Sequence, residues 1–351
     1  MKIHEKYINR CIELAKNGLP AAIPNPSVGA VIVHNEKIIG EGYTSPYGGP
    51  HAEVNAINSV KQPSLLPEST IYVSLEPCSH FGKTPPCSDL IIAKKIKKVV
   101  IGTTDPHDKV SGNGIRKLQA AGCEVNVGVL EKECIDVNRR FFTFHTKKRP
   151  YIILKWAQSN DGFISPETAV KDISEAKPHW ITNAYSRQLV HKWRSEESGI
   201  LVGTNTVIND NPKLNTRSWN GKDPVRVILD PKGRIPHTYA VYDGTVNTIV
   251  LSGEKGSVPE NKNISLEKMD FTTNVGNQIC DILYKHQVQS VIIEGGAQTL
   301  NTFIEEGLWD EARVFTGSSD LKSGLRAPEL NANTKEEHDI KGDRLSIYRN
   351  T

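Results

Sequence analysis

Glu76-Pro77-Cys78-Ser79-His80-Phe81-Gly82-Lys83-Thr84-Pro85-Pro86-Cys87 lies between residues 69–74, a run with strand composition, and residues 88–95, a run with helical spacing. Two cysteines thus occupy one strand-to-helix connection, the part of an open α/β sheet where ligands gather. Working outward, the same alternation continues. Residues 7–17 have helical spacing, 28–33 and 37–40 read as a hairpin around His34-Asn35, and 51–60 read as a helix. Downstream follow a strand at 98–102, a helix at 114–121, a strand at 125–129 and a closing helix over 131–144. Such alternation predicts a mostly parallel sheet covered by helices on both faces.

A chain of 351 residues is longer than one hydrophobic core usually serves, so two domains are expected. The basic run Lys147-Lys148-Arg149 meets Pro150 and a new strand at 151–156, which sets the domains at 1–146 and 150–351. In the second half, strands are expected at 199–203, 225–230, 247–252 and 290–293, with helices at 183–194 and 297–306. Residues 259–274 are polar and weakly patterned. A net charge of +3, from 43 basic and 40 acidic residues, gives no case for a nucleic-acid or membrane-surface partner. The N-terminus lacks the apolar stretch of a signal peptide and no segment has the length of a membrane span, so the cytoplasm is expected. There the six cysteines read as ligands or core residues rather than disulfides.

His51-Ala52-Glu53 stands at a helix start, Pro77-Cys78 follows a strand, and Cys87 follows Pro85-Pro86 directly before a helix. One imidazole and two thiolates suit zinc, and three protein ligands leave the fourth tetrahedral position for water, as in catalytic sites. A helix N-terminus at Cys87 would favour its thiolate form. Glu53 need not ligate the metal and is the expected proton shuttle. The order follows the H-x-E…P-C-x-x-C pattern of zinc deaminases, with eight residues between the cysteines instead of two. The residues alone leave two other readings open: ordinary buried thiols, or a structural four-ligand site closed by Cys11, Cys123 or Cys134.

The twelve residues 76–87 closely resemble the signature of the bifunctional riboflavin-biosynthesis deaminase/reductase family. So do Pro24-Asn25-Pro26-Ser27-Val28-Gly29, Pro50-His51-Ala52-Glu53, and Asp105-Pro106 with Val110, Gly112 and Gly114. The resemblance implies an α/β chain, with an N-terminal cytidine-deaminase-like three-layer domain and a C-terminal dihydrofolate-reductase-like domain. It implies hydrolysis of the ring amine of 2,5-diamino-6-ribosylamino-4(3H)-pyrimidinone 5′-phosphate, with Asn25 reading the pyrimidine and His80, Lys83 and Thr84 meeting the ribose phosphate.

In the second half the resemblance is carried by Lys155-Trp156-Ala157-Gln158-Ser159-Asn160-Asp161-Gly162, Trp180-Ile181-Thr182, Gly203-Thr204-Asn205-Thr206-Val207, Asp210-Asn211-Pro212, Leu214, Arg217 and Glu294-Gly295-Gly296-Ala297. It implies reduction of the ribosyl group to ribityl by NADPH. Ala157, Trp180, Thr206 and Asp210 would contact the cofactor, and Arg194, Leu214, Arg217 and Glu294 the substrate. Gly295-Gly296 between a strand and a helix lets backbone N–H groups approach a cofactor phosphate, and two guanidinium forks suit the substrate phosphate. Lys177-Pro178-His179 stands where the family offers a serine, and Asn160 where it offers a leucine. Pro178 motivates an alternative in which the second domain serves mainly binding or assembly. A non-catalytic zinc-stabilised protein would be expected to lack Glu53. The expected partners are the phosphorylated pyrimidine and further copies of the chain, with no nucleic acid and no membrane.

Overall fold

Apolar residues on the three central strands of the first half alternate between two helix-covered faces, and this pattern makes a three-layer unit. The computed structural model describes residues 3–81, 85–107, 111–166, 179–253, 256–332 and 334–350. The chain divides into two units, Met1–Lys147 and Lys148–Thr351. In chain order the first contains α1 (Ile3–Gly18), β1 (Gly29–His34), β2 (Lys37–Tyr43), α2 (Ala52–Ser59), β3 (Thr70–Leu75), α3 (Cys87–Ala93) and β4 (Lys98–Thr103). It closes with α4 (Asn113–Ala120), β5 (Glu124–Val127), α5 (Glu131–Val137) and α6 (Arg139–Lys147).

Ala30, Ile32, Ile71, Val73, Val99 and Ile101 pack against Ala56 and Ile57 of α2, Ile91 of α3 and Leu118 of α4. The intervening Val31, Val33, Tyr72 and Val100 pack on the other face, against Tyr7, Ile8, Cys11 and Ile12 of α1 and Cys134 of α5. The sheet order is β2-β1-β3-β4-β5. It is less parallel than the alternation predicts: β1 pairs antiparallel with both β2 and β3, and only β3-β4-β5 is parallel. Asn35 and Glu36, at φ 47° and 60°, form a tight hairpin turn, and so short a link cannot make a parallel crossover. The predicted helix at 131–144 is two helices. Asn138 leaves helical geometry (φ −111°, ψ 23°) and spends its buried amide on Ser27, accepting from its N–H and donating to its carbonyl, each at 2.8 Å.

The second unit contains β6 (Tyr151–Gln158), β7 (Phe163–Ser165), α7 (Ala184–Glu196), β8 (Gly199–Gly203), α8 (Thr204–Asp210), β9 (Val225–Leu229), β10 (Thr248–Ser252) and β11 (Ile264–Lys268). There follow α9 (Val275–Lys285), β12 (Ser290–Ile293), α10 (Ala297–Glu305), β13 (Glu311–Thr316), β14 (Leu325–Arg326), β15 (Thr334–Ile340) and β16 (Asp343–Arg349). The large sheet runs β11-β10-β9-β8-β12-β6-β13-β16-β15, parallel from β11 to β13 and antiparallel from there on. Ile152, Leu154, Leu201, Val227, Val291 and Ile293 face α9 and α10, while Val190 and Trp193 of α7 and Val207 of α8 cover the opposite face. Within the weakly patterned 259–274 segment, β11 forms an edge strand. One buried residue, Ile264, anchors it, so its apolar pattern is faint.

Candidate metal and cofactor sites

The start of β1 and the end of β3 share one edge of the first sheet, where the Gly29 N–H donates to Ser74 Oγ at 3.1 Å. β3 delivers Glu76, Pro77 and Cys78 to that edge, α3 begins at Cys87, and His51 caps α2. His51 Nδ1 lies 3.5 Å from Cys78 Sγ and 3.4 Å from Cys87 Sγ. The three donor atoms lie within 4.8 Å of one another, and among the described residues no fourth His, Cys, Asp or Glu joins them. Tetrahedral zinc, with bonds of about 2.0–2.1 Å to nitrogen and 2.3 Å to sulfur, separates such donors by roughly 3.6 Å, so the residues fit the ion. The other cysteines are engaged elsewhere: Cys11 donates to the Tyr72 carbonyl, Cys123 to the Ile96 carbonyl, and Cys134 is buried in the core. A structural site closed by one of them is ruled out.

Of the two thiols, that of Cys78 ionises more readily than that of Cys87, and a zinc ion held by both sulfurs would keep both as thiolates. Hydrogen bonding from Cys87 outweighs burial and, with His51, lowers the Cys78 pKa to about 4, while the same contact and burial push Cys87 up. The N–H at the start of α3 points at its neighbour's sulfur, donating to Cys78 Sγ at 3.3 Å. Cys78 in turn raises the pKa of His51. Glu53 is 3% exposed, and burial followed by the charge of Cys78 raises its pKa to about 7. Asp105 is also buried, raised to about 6 chiefly by burial, with Glu76 and Cys78 adding to the shift. Its place beside the metal ligands goes beyond the role the sequence reading gave Asp105-Pro106.

Glu76 is the residue that reading missed. Its buried carboxylate accepts N–H groups from Asp105 and Gly112 on Oε2 (3.2 and 2.9 Å) and from Gly114 and Ile115 on Oε1 (2.9 and 3.3 Å). Asn25 is half-buried in the loop entering β1, hence on the Cys78 edge; its backbone N–H donates to the Ala22 carbonyl at 2.9 Å, and no hydrogen bond within the described residues uses its side-chain amide. His80 is exposed, and Lys83 and Thr84 lie outside the described residues, as does Pro178.

In the second unit Arg194, in the last turn of α7, places Nε and Nη2 each 2.8 Å from the two carboxylate oxygens of Glu294. Lys155 Nζ approaches the same carboxylate at 3.6 Å. Arg194 Nη1 donates to the Asn215 carbonyl at 3.2 Å, and the exposed Arg217 donates to Asn215 Oδ1 at 3.1 Å. Two cations pair with one carboxylate and a third stands nearby, and the field is positive: burial, then Arg194 and Arg217, lower His191 to about 4. Burial lowers Lys155, whereas for Glu294 the cations overcome burial and hold it at about 2. Leu214, expected to touch substrate, is 2% exposed and packs in the core with Ile200, Val202 and Val207. Lys155 and His191 are additions; the signal for Lys155 is a single charge inside the apolar run of β6.

A cleft of about 550 Å³ opens where β8, β9 and β12 end, and Thr206 and Gly296 line it. Gly295 instead fills the gap between strand ends: a Cβ there would come within 2.8 Å of Val202 Cα. Ala157, near the end of β6, is half-buried. Trp180 is 56% exposed under the Arg187 guanidinium, and burial raises Asp210 to about 6. None of these three lines the cleft.

Residues 1–103 match the family described as the cytidine and deoxycytidylate deaminase zinc-binding region, and residues 150–319 match the RibD C-terminal domain. The riboflavin biosynthesis protein RibD of Aquifex aeolicus is 40% identical over 341 residues, covering 96% of this chain and 93% of its own length. That of Escherichia coli is 31% identical over 347 residues, covering 92% and 89%. Among solved structures, the diaminohydroxyphosphoribosylaminopyrimidine deaminase/5-amino-6-(5-phosphoribosylamino)uracil reductase of Thermotoga maritima superposes with a TM-score of 0.86 at 36% identity, covering 99% of each chain. Acinetobacter baumannii RibD gives 0.86 at 31% identity, covering 100% of this chain and 99% of its own. No helix among the described residues is long and apolar enough to cross a membrane.

Proposed function

Because the chain belongs to the RibD family of bifunctional riboflavin-biosynthesis enzymes, we propose that its two chemistries divide at residues 1–146 and 150–351, with Glu53 moving protons in the first and Glu294, Arg194 and Lys155 seating substrate in the second. The chain is a zinc-dependent deaminase and an NADPH-dependent reductase. The observation that carries the first assignment is a His51–Cys78–Cys87 donor set beside a buried carboxyl whose pKa lies near 7.

His51, Cys78 and Cys87 would hold the zinc ion, whose Lewis acidity would bring the pKa of a water molecule down to about 7. Glu53 accepts the proton of the attacking water and delivers it to the ring nitrogen; it then takes the remaining hydroxyl proton and gives it to the departing amine, so that the carbonyl forms as the carbon–nitrogen bond breaks. Asn25 reads the pyrimidine edge with its unspent amide. His80, Lys83 and Thr84 meet the ribose phosphate.

NADPH supplies the hydride of the second reaction. Arg194 is fixed by Glu294 and keeps Nη1 toward Asn215, where Arg217 adds an exposed cation, so phosphate would bind across that pair. Lys155, its ammonium held by Glu294, is the proton-bearing group of the cluster. Leu214 contributes through its backbone, since its side chain is in the core. Ala157, Trp180, Thr206, Asp210 and Gly296 contact the cofactor, and Gly295 allows the strand ends to close around it.

The substrate is the phosphorylated diaminopyrimidine ribosylamine. The protein works in the cytoplasm, a reading supported by six unpaired cysteines, and as a homo-oligomer without nucleic acid, which sedimentation with and without RNA tests. For the chemistry, zinc-loaded protein is incubated with the diaminopyrimidine ribosyl phosphate while ammonia release and NADPH oxidation are followed separately. Ammonia should appear without NADPH, and NADPH oxidation only after deamination. Absence of ammonia would overturn the deaminase assignment, and ammonia without NADPH oxidation the reductase assignment.

A further inference from the structure

We propose that His191 is a positioning residue of the second unit, holding the Asn215 carbonyl so that the Asn215 side chain aims Arg217 at the substrate phosphate. The inference rests on the reading of Arg194 and Arg217 as the phosphate-binding pair. His191 and Arg194 stand three residues apart on α7, so both side chains emerge on one face of the helix. They meet one acceptor: the Asn215 carbonyl takes Nδ1 of His191 at 2.9 Å and Nη1 of Arg194 at 3.2 Å. A carbonyl oxygen can only accept, so the imidazole hydrogen that faces it is on Nδ1. His191 is 6% exposed, and among the described residues the Asn215 carbonyl is its only hydrogen-bond partner.

The loop that follows α8 is fastened along most of its length. Leu214 turns through left-handed backbone at φ 53° with its side chain in the core, and Thr216 donates both its N–H and its hydroxyl to Asp223 Oδ1 at 2.7 Å. Gly221 lies so close to α7 that a Cβ there would come within 2.4 Å of Ser195 Cβ. Arg217 is the exception. It is exposed, and among the described residues its one hydrogen bond goes to Asn215 Oδ1 at 3.1 Å, so the orientation of Asn215 sets that of the guanidinium. The two donors on the Asn215 carbonyl differ once phosphate arrives. Arg194 already gives Nε and Nη2 to Glu294, which leaves Nη1 as the part of its fork for a phosphate oxygen. Drawn to phosphate, that nitrogen loosens its bond to the loop, and the shorter bond from His191 keeps Asn215 in place. Burial and the two arginines hold the His191 pKa at about 4, so it anchors the carbonyl as a neutral donor, for which phosphate competes less than for a charged one.

Steady-state NADPH oxidation is measured with the deaminated ribosylaminopyrimidine 5′-phosphate and with its dephosphorylated counterpart. The proteins compared are the full-length chain, His191→Ala, His191→Asn, Arg217→Ala and the double variant of His191→Ala with Arg217→Ala. Arg217→Ala should remove most of the preference for the phosphorylated substrate. His191→Ala should raise KM for that substrate about tenfold, while kcat and the KM for the dephosphorylated one move less than about threefold. Asparagine carries an amide N–H in the place of Nδ1, so His191→Asn should recover most of the loss. Because His191 acts through Arg217, the double variant should be no worse than Arg217→Ala. Unchanged NADPH affinity reports that a variant folds; should His191→Ala not fold, His191→Phe, which fills the space without the donor, takes its place. An unchanged KM in His191→Ala, a KM that rises equally for both substrates, a fall in kcat alone, no recovery in His191→Asn, or additive losses in the double variant each overturn the inference while leaving the phosphate reading intact. An Arg217→Ala protein that keeps the natural preference for the phosphorylated substrate overturns the phosphate reading and this inference with it.

Discussion

Glu53 and Glu76 are buried carboxylates on the same side of the first sheet, and their surroundings give them opposite tasks. Glu53 is poised to exchange a proton near pH 7, whereas Glu76 has both oxygens filled by backbone N–H groups. Glu53→Gln keeps the shape and the ligands but removes the proposed proton carrier. Ammonia release should fall at least 100-fold while metal analysis still finds one zinc per chain; activity within tenfold of the natural enzyme would remove Glu53 from the mechanism. Glu76→Ala leaves four N–H groups without their acceptor, those of Asp105 and Gly114 buried, which should cost the first unit about 3 kcal/mol or more in denaturant unfolding. Because Cys78 is two residues away, zinc should also bind more weakly in competition with a chelator. A variant as stable as the natural protein would show that water replaces the carboxylate. Glu53 is legible in sequence because it sits in a short motif with His51. The partners of Glu76 lie 29 to 39 residues away, so no local pattern announces them.

Among the elements, α4 matters through its first turn. Gly114 lies so close to the connection after β3 that an added Cβ would sit 2.0 Å from the Pro77 carbonyl oxygen. Gly114→Ala should therefore push α4 away from the residue preceding Cys78, lowering zinc affinity about tenfold or more and leaving second-unit NADPH affinity unchanged. Equal zinc affinity in the two proteins would mean that the ligand loop tolerates the displacement. Strands and helices with strong periodicity, such as β3, β4 and β12, are legible because burial on both faces makes them continuously apolar. The split between α5 and α6 is not, because it depends on Asn138 meeting Ser27 from 111 residues away. Nor is β11, whose edge position buries too little to leave a pattern. The proposed second-unit site is legible in part: the family resemblance points to Arg194 and Glu294, but their mutual ion pair arises only when α7 and the end of β12 meet.

At the scale of the whole molecule, each unit has its own core. Burial alone would raise the pKa of Glu294, but Arg194 and Lys155 lower it from 4.5 to about 2. Its ionised form therefore supports folding fully above pH 4.5, and that support is lost as pH falls toward 2. Second-unit stability should drop across this window, and in Glu294→Gln the drop should be smaller, as read by denaturant melts at pH 6 and pH 3. An equally steep loss in the variant would place the acid sensitivity elsewhere. The single chain running through Lys147 and Lys148 also fixes a stoichiometry. Every copy made carries one hydrolytic and one reducing centre, so the cell cannot adjust their ratio by expression. It can do so only through occupancy: when zinc is scarce the hydrolytic centres fall silent one by one while every reducing centre remains, and metal supply becomes the valve on throughput.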